Sequence, residues 1–265
     1  MQNKMKKPAV LCPELCAGVA DLARVASAVY GNGMQIQYAV PNDGYASASS
    51  FAQLLKDASF GSANIARAVA VLRGAEVPAQ GVKTAVILLD ALLSRGTEVG
   101  CSKEEWYQIP ALLEYSMTIL KRIAAENNGQ VPGGGLTFLT LCRPLQKYGR
   151  ENQSEQAAGA LIYAMEQPLL KLAEAAGLNG YEVFERVKAL APNQFFSLHQ
   201  VGIEDSIPVN SHYTDYIRMG LDLTDGKIKD LCMARQMLEA TEVENILNFV
   251  GRALYTILDI AAAIS

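Results

Sequence analysis

Val77-Pro-Ala-Gln-Gly-Val-Lys-Thr-Ala-Val-Ile-Leu-Leu89 runs from a glycine-containing turn directly into an apolar helix, and Val131-Pro-Gly-Gly-Gly135 opens a second helix in the same way. Glycine lets backbone approach an anion closely. The unpaired N–H groups of a first helical turn, with the positive end of the helix dipole, then supply the attraction. Turns of this kind can cradle phosphates. Nucleotide hydrolysis also needs carboxylates that hold Mg²⁺ and orient the attacking water, and neither turn carries an Asp. The pair therefore predicts a phosphate-binding scaffold stripped of hydrolytic groups.

Outward from these turns, helical periodicity dominates. Leu15, Val19, Leu22, Ala26 and Val29 recur at helical spacing, as do Ile65, Val69 and Leu72, with Gly31 and Gly74 placed as C-caps. Residues 103–127 predict a helix carrying the only tryptophan, Trp106, as a core or interface residue, with Pro110 in a first turn or at a kink. A helix over about 153–176 should bend at Pro168 and stop at Gly177, and 180–190 continues the pattern. The last helix is expected to start at a capping box, Thr241-Glu-Val-Glu244. Two stretches read as β structure. Met34–Val40 alternates with period two, Asn42-Asp-Gly44 supplies a turn, and Tyr45–Ser49 returns; Gly220–Gly226 reads as a short strand and turn. The fold class expected is mainly α, with a small β-hairpin.

Composition sets outer limits. The chain has 265 residues, 50% of them hydrophobic and 19% charged, with no Pro/Ser/Gly-rich linker, so one domain is expected. A formal net charge of −4, with no basic run longer than Lys4-Met-Lys-Lys7, argues against nucleic acid as a partner. No stretch reads as a membrane span or signal peptide, and a cytoplasmic location is expected. The five cysteines, Cys12, Cys16, Cys101, Cys142 and Cys232, include no Cys-x-x-Cys pair; with only His199 and His212 as other soft ligands, free thiols are the simpler reading than zinc.

The order of parts resembles the chaperonins, and more closely their group II branch. Glu14 to Met34 is similar to the family's first helix and its Gly-Pro-Lys-Gly loop. Gln80-Gly-Val-Lys-Thr-Ala85 resembles the Asp-Gly-Thr-Thr-Thr-Ala phosphate loop, and Val131-Pro-Gly-Gly-Gly135 the segment that lies against the nucleotide. Leu172-Ala-Glu-Ala-Ala-Gly-Leu178 and Gly220-Leu-Asp-Leu-Thr-Asp-Gly-Lys-Ile-Lys-Asp230 are similar to two later family segments. The resemblance implies an equatorial-domain-like helical bundle with a stem-loop hairpin and short terminal strands. The halves would be 1–102 and 128–265, with the helical segment 103–127 in place of the apical and intermediate domains.

The resemblance also implies a nucleotide site made of Gly31, Gly33, Gln80, Gly81, Val82, Lys83, Thr84, Gly133, Gly134, Gly135 and Glu239. ATP or ADP would bind weakly or not at all. The acids that serve the family's hydrolysis fall on Gln80, near Ser50-Phe51, and near Tyr115 or Met117 beside Glu114, so no catalytic residue and no metal ligand is assigned. Lys83 either pairs with a phosphate or stands in solvent at the helix start. Glu239 either meets the ribose or belongs to a surface helix, and Asp222 and Asp230 read as turn and capping residues. Two functions follow. One is an oligomerising or scaffold module with a degenerate nucleotide site, self-associating through hairpin 34–49 and the chain termini or docking on another protein. The other is an ATP-binding protein or weak ATPase with a chaperone-related role in protein folding.

Overall fold

Apolar residues almost all round Val82–Val99 make this helix, α4, a central one: Val82, Ala85, Val86, Ile87, Leu88, Leu89, Leu92 and Leu93 are all buried. The computed structural model describes residues 11–30, 36–40, 44–48, 50–78, 80–190, 218–222 and 225–264. Around α4 pack α1 (Pro13–Ala28), α7 (Glu155–Ala175) and α9 (Ala240–Ile264). Small residues on α7, among them Ala157, Ala160 and Ala164, let it lie close to α4 and to α6 (Leu136–Glu151). Two short helices, α2 (Phe51–Asp57) and α3 (Ala63–Gly74), complete the N-terminal side. As the periodicity requires, α1 buries Leu15, Val19, Leu22 and Ala26.

The helix α5 (Lys103–Glu126) is started by a reciprocal capping box between Ser102 and Glu105 and packs against α9, α6 and α7. Trp106 is in the core at 1% exposure, its ring over Gly96, where an added Cβ would stand 2.3 Å from Cη2. Pro110 lies inside α5 and Pro168 inside α7, and both helices continue past them. The α7 terminus is a Schellman turn: Gly177 has φ 76°, and Leu178 N–H donates to Ala173 C=O at 3.0 Å.

Among the described residues, three two-stranded antiparallel sheets decorate the bundle. The hairpin β1 (Ile36–Val40) and β2 (Gly44–Ala48) pairs Ile36 with Ala48 and Val40 with Gly44, and meets α2. Strand β3 (Gln130–Pro132) pairs with β6 (Met237–Glu239), and β4 (Met219–Asp222) with β5 (Lys227–Asp230). Beside β4 and β5, α8 (Gly180–Leu190) closes a smaller apolar cluster with Leu136, Leu169, Phe184, Val187, Leu221 and Leu231.

Some details differ from the sequence reading. Helix α9 starts at Ala240, so Thr241 lies inside its first turn and is no N-cap. At the end of α3 the left-handed residue is Glu76 (φ 60°), whose carboxylate pairs with Arg252 of α9; Gly74 remains helical. Contrary to the expectation that no stretch is long enough to cross a bilayer, α9 passes that test by length and mean hydropathy (1.4), although its apolar face, with Phe249, Val250 and Leu254, is buried in the bundle. The described chain ends in this helix. The turn residues Asn42 and Asp43, the N-terminal residues 1–10, and His199 and His212 lie outside the described residues.

Candidate functional site

The first glycine turn is built against the C-terminal helix. Gly81 caps α4 in the left-handed conformation (φ 72°) and, being glycine, offers no side chain to cap the first turn. A Cβ on Gly81 would fall 2.4 Å from Cδ1 and 2.6 Å from Cγ1 of Ile246, so α9 takes up the space that glycine leaves. Gln80, before it, is exposed, and Val82 is buried.

Lys83 is half-buried, and its ammonium donates to the backbone carbonyl of Val29 at 2.9 Å, just beyond the end of α1. Burial lowers its pKa below the usual lysine value. Thr84 shares a hydrogen bond of 2.9 Å with the phenol of Tyr30, which burial pushes up to about 12. Glu242, in the first turn of α9, completes this cluster. One carboxylate oxygen would lie 3.7 Å from a Cβ on Gly81, and its charge is felt at Tyr30. Burial raises the Glu242 pKa above the ordinary carboxylate value. Sequence reasoning missed Glu242, because a first-turn glutamate looks like a partner for its own helix dipole.

The second glycine turn is equally occupied by protein. Gly133 N–H donates to Gln236 C=O at 2.9 Å, and Gly134 (φ 62°) meets the Leu231 side chain. Gly135 (φ 81°) caps α6, and a Cβ there would fall 2.8 Å from the backbone nitrogen of Leu169 on α7. The hydroxyl of Thr137 donates back to Pro132 C=O at 2.6 Å. Glu239 is exposed on β6, opposite Gln130, whose side-chain amide donates to it at 3.1 Å. Asp222 is buried and accepts from Lys229 Nζ at 2.8 Å and from the Gln236 amide at 2.6 Å, holding the residue that receives Gly133. Asp230 accepts from the Cys232 and Met233 amides at 3.0 Å and pairs with Arg218 at 2.8 Å.

The start of α9 relates the two turns. Gln236 precedes β6, β6 runs into α9, and Ile246 on the second turn of α9 meets Gly81. The six helical steps from Ala240 to Ile246 span ~9 Å. Gly31 and Gly33 lie outside the described residues.

The remaining positions hold other partners. Ser50 caps α2, accepting from Gln53 N–H at 3.1 Å, and Phe51 is buried. Tyr115 stacks on Tyr148 with centroids 4.3 Å apart, Met117 packs against the core, and Glu114 is exposed. All five cysteines are free. Among the described residues, no three His, Cys, Asp or Glu side chains gather in a group suited to a metal ion.

A helical bundle with glycine-turn helix starts, a β3–β6 ladder leading into α9 and a hairpin beside the N-terminal helices is the architecture of this chain. Residues 99–265, more than half of it, match the TCP-1/cpn60 chaperonin family, and the chain belongs to that family. It is also similar to chaperonin GroEL 3 of Acaryochloris marina (strain MBIC 11017), 35% identical over 99 residues. That match takes in 33% of this chain and 18% of the relative. The family match begins at the end of α4, so α1, the hairpin and the Gly81 turn lie before it.

Proposed function

We propose that this chaperonin-family chain is an equatorial-domain-like interaction module, nearest in motif to group II, whose nucleotide cradle is closed by its own packing and does not hydrolyse ATP. On this reading 1–102 and 128–265 are the two halves of the module, α5 stands where the longer family members carry further domains, and the location is cytoplasmic. The observation that carries it is occupancy. Where glycines 81, 133, 134 and 135 leave room for close approach, the room is filled by Ile246, the Gln236 carbonyl, Leu231 and the α7 backbone. The one cation of the first turn, Lys83, spends its ammonium on the Val29 carbonyl.

Calorimetric titration with ADP and ATP, with and without Mg²⁺, tests the reading, together with a phosphate-release assay. Neither binding heat nor Mg²⁺-dependent turnover is expected. Groups that act as a unit in hydrolysis fail together, so losing several leaves little residual rate. Turnover that requires Mg²⁺ and disappears on substitution of Gly81 or Gly133 overturns the reading in favour of a weak ATPase.

A further inference from the structure

The hairpin reaches the bundle through α2. Strand β2 ends at Ala48 and Ser50 caps α2, so one residue joins them, and both strands lie against that helix. A two-stranded hairpin is marginal in water by itself, so its order follows that of the element that carries it. That element is short. With seven residues, α2 is below the length at which a helix holds its own shape, and tertiary contacts must supply the rest. Its apolar side does so with Phe51, Leu54 and Leu55, all buried. The carbonyls at its C-terminal end are met by one side chain from another helix. In the last turn of α3, Arg73 Nε donates to Leu55 C=O at 2.6 Å and Nη2 donates to Ala58 C=O at 3.1 Å. A planar cation with fixed donor directions, set at the negative end of a helix, fixes position as well as matching charge.

We propose that Arg73 is the positioning residue of the hairpin: by clamping the C-terminal end of α2 to α3, it sets how the free edges of β1 and β2 are presented to another chain. This rests on the interaction-module reading and names what orients the module's ribbon. Among the described residues β1 and β2 pair only with each other, so each leaves one edge of backbone N–H and C=O groups open to pairing. Strand pairing requires a set direction and register, and a hairpin free to swing on α2 would meet a partner in many orientations. Holding one orientation removes that entropy before association. Apolar burial is non-directional, so it keeps α2 on the bundle while tolerating rotation and sliding, whereas two hydrogen bonds from one rigid group fix the end of the helix.

The test compares hydrogen–deuterium exchange, read by mass spectrometry, in the full chain and its Arg73→Gln, Arg73→Lys and Arg67→Gln variants. Arg67 is exposed on the same helix, and its substitution changes net charge as Arg73→Gln does. Arg73→Gln is expected to speed exchange in 51–57, 36–40 and 44–48 by roughly tenfold or more, as loss of a hydrogen-bonded cation implies, with α7 unchanged. Arg67→Gln should match the unmodified chain, and Arg73→Lys, which keeps the charge but not the fork, should fall between. In sedimentation equilibrium the self-association constant of Arg73→Gln should drop by a similar factor. Unchanged exchange in 51–57, or faster exchange there with the hairpin unaffected, overturns the inference, as does faster exchange in both with assembly unweakened. A full chain that stays monomeric at high concentration overturns the self-association route, whereas the clamp on the hairpin stands or falls by the exchange data. Should Arg73→Gln lose protection throughout α7 and so be unfolded, Arg73→Lys carries the test. Faster exchange confined to the hairpin and α2 then supports the inference, and no change overturns it.

Discussion

Replacing Gly81 with alanine separates a glycine kept for packing from one kept for a ligand. The substitution imposes two costs on the ligand-free protein. A left-handed residue with a Cβ is strained by ~1–2 kcal/mol, and Gly81 has φ 72°. The new methyl would also stand 2.4 Å from Cδ1 of Ile246. That atom is the movable end of its side chain, but Ile246 is 2% exposed, so moving it disturbs a packed core. Overpacking of this kind costs ~1–3 kcal/mol, and the total expected for Gly81→Ala is about 2–5 kcal/mol. Ile246→Ala alone should cost ~2–5 kcal/mol through its cavity. In the double variant the new methyl enters space that Ile246 has vacated, so only the backbone strain should remain from position 81. The cycle then shows a coupling of roughly 1–3 kcal/mol, with the double variant more stable than the two single costs imply. Urea unfolding followed by the fluorescence of Trp106, the only tryptophan and a fully buried one, gives all four stabilities. A coupling below about 0.5 kcal/mol, the level at which independent sites add, refutes the packing account of Gly81.

Deletion of residues 36–47, which removes β1 and all of β2 but Ala48, is expected to lower the sedimentation coefficient of an assembled protein to that of a monomer while far-UV helicity is kept; a full-length chain that is already monomeric at high concentration defeats the self-association route. Asp90→Asn should raise the melting temperature at pH 7, because burial outweighs Arg24 and Lys171 and holds the Asp90 pKa above its unfolded value of 3.8. The contribution of Asp90 is full below that value and is lost as pH rises through the raised folded pKa, so the gain should vanish in acid; equal gains at pH 7 and pH 3.5 refute it.

Elements fixed by neighbouring residues were legible in the sequence. The apolar stripe of α1, the stop of α7 at Gly177 and the alternation in 36–40 each depend on contacts a few residues apart. Features set across long separations were not. Helix α9 starts at Ala240 because the preceding residues pair with β3, more than a hundred positions earlier, and Ala240 N–H donates to Gly129 C=O at 3.0 Å. Lys83 showed its charge but not its acceptor, 54 residues away. Glu242 faces a second helix only because α9 packs on α4, and no local pattern encodes that approach. The glycines of both turns were legible as positions of close approach, but what approaches them was not.

The connection from α4 to α5 is short, and its geometry fixes how α5 lies on the bundle. Gly100 takes φ 72° and Cys101 N–H donates to Gly96 C=O at 2.9 Å, ending α4 in a Schellman turn. The next residue, Ser102, caps α5, so only Gly100, Cys101 and Ser102 lie between the two helices. Trp106 then folds back over Gly96, a fit that no residue with a Cβ allows at that position. Beyond it α5 covers α9, with Leu113 against Gly251 at a distance where an added Cβ would stand 3.3 Å from Cδ1. A loosely attached segment would leave α9 exposed along this side and would not bury Trp106, the largest side chain of the core. The segment 103–126 is therefore part of the bundle itself. The burial of Trp106 and Leu113 against α4 and α9 makes this segment necessary to the module's stability, whatever else the chain binds.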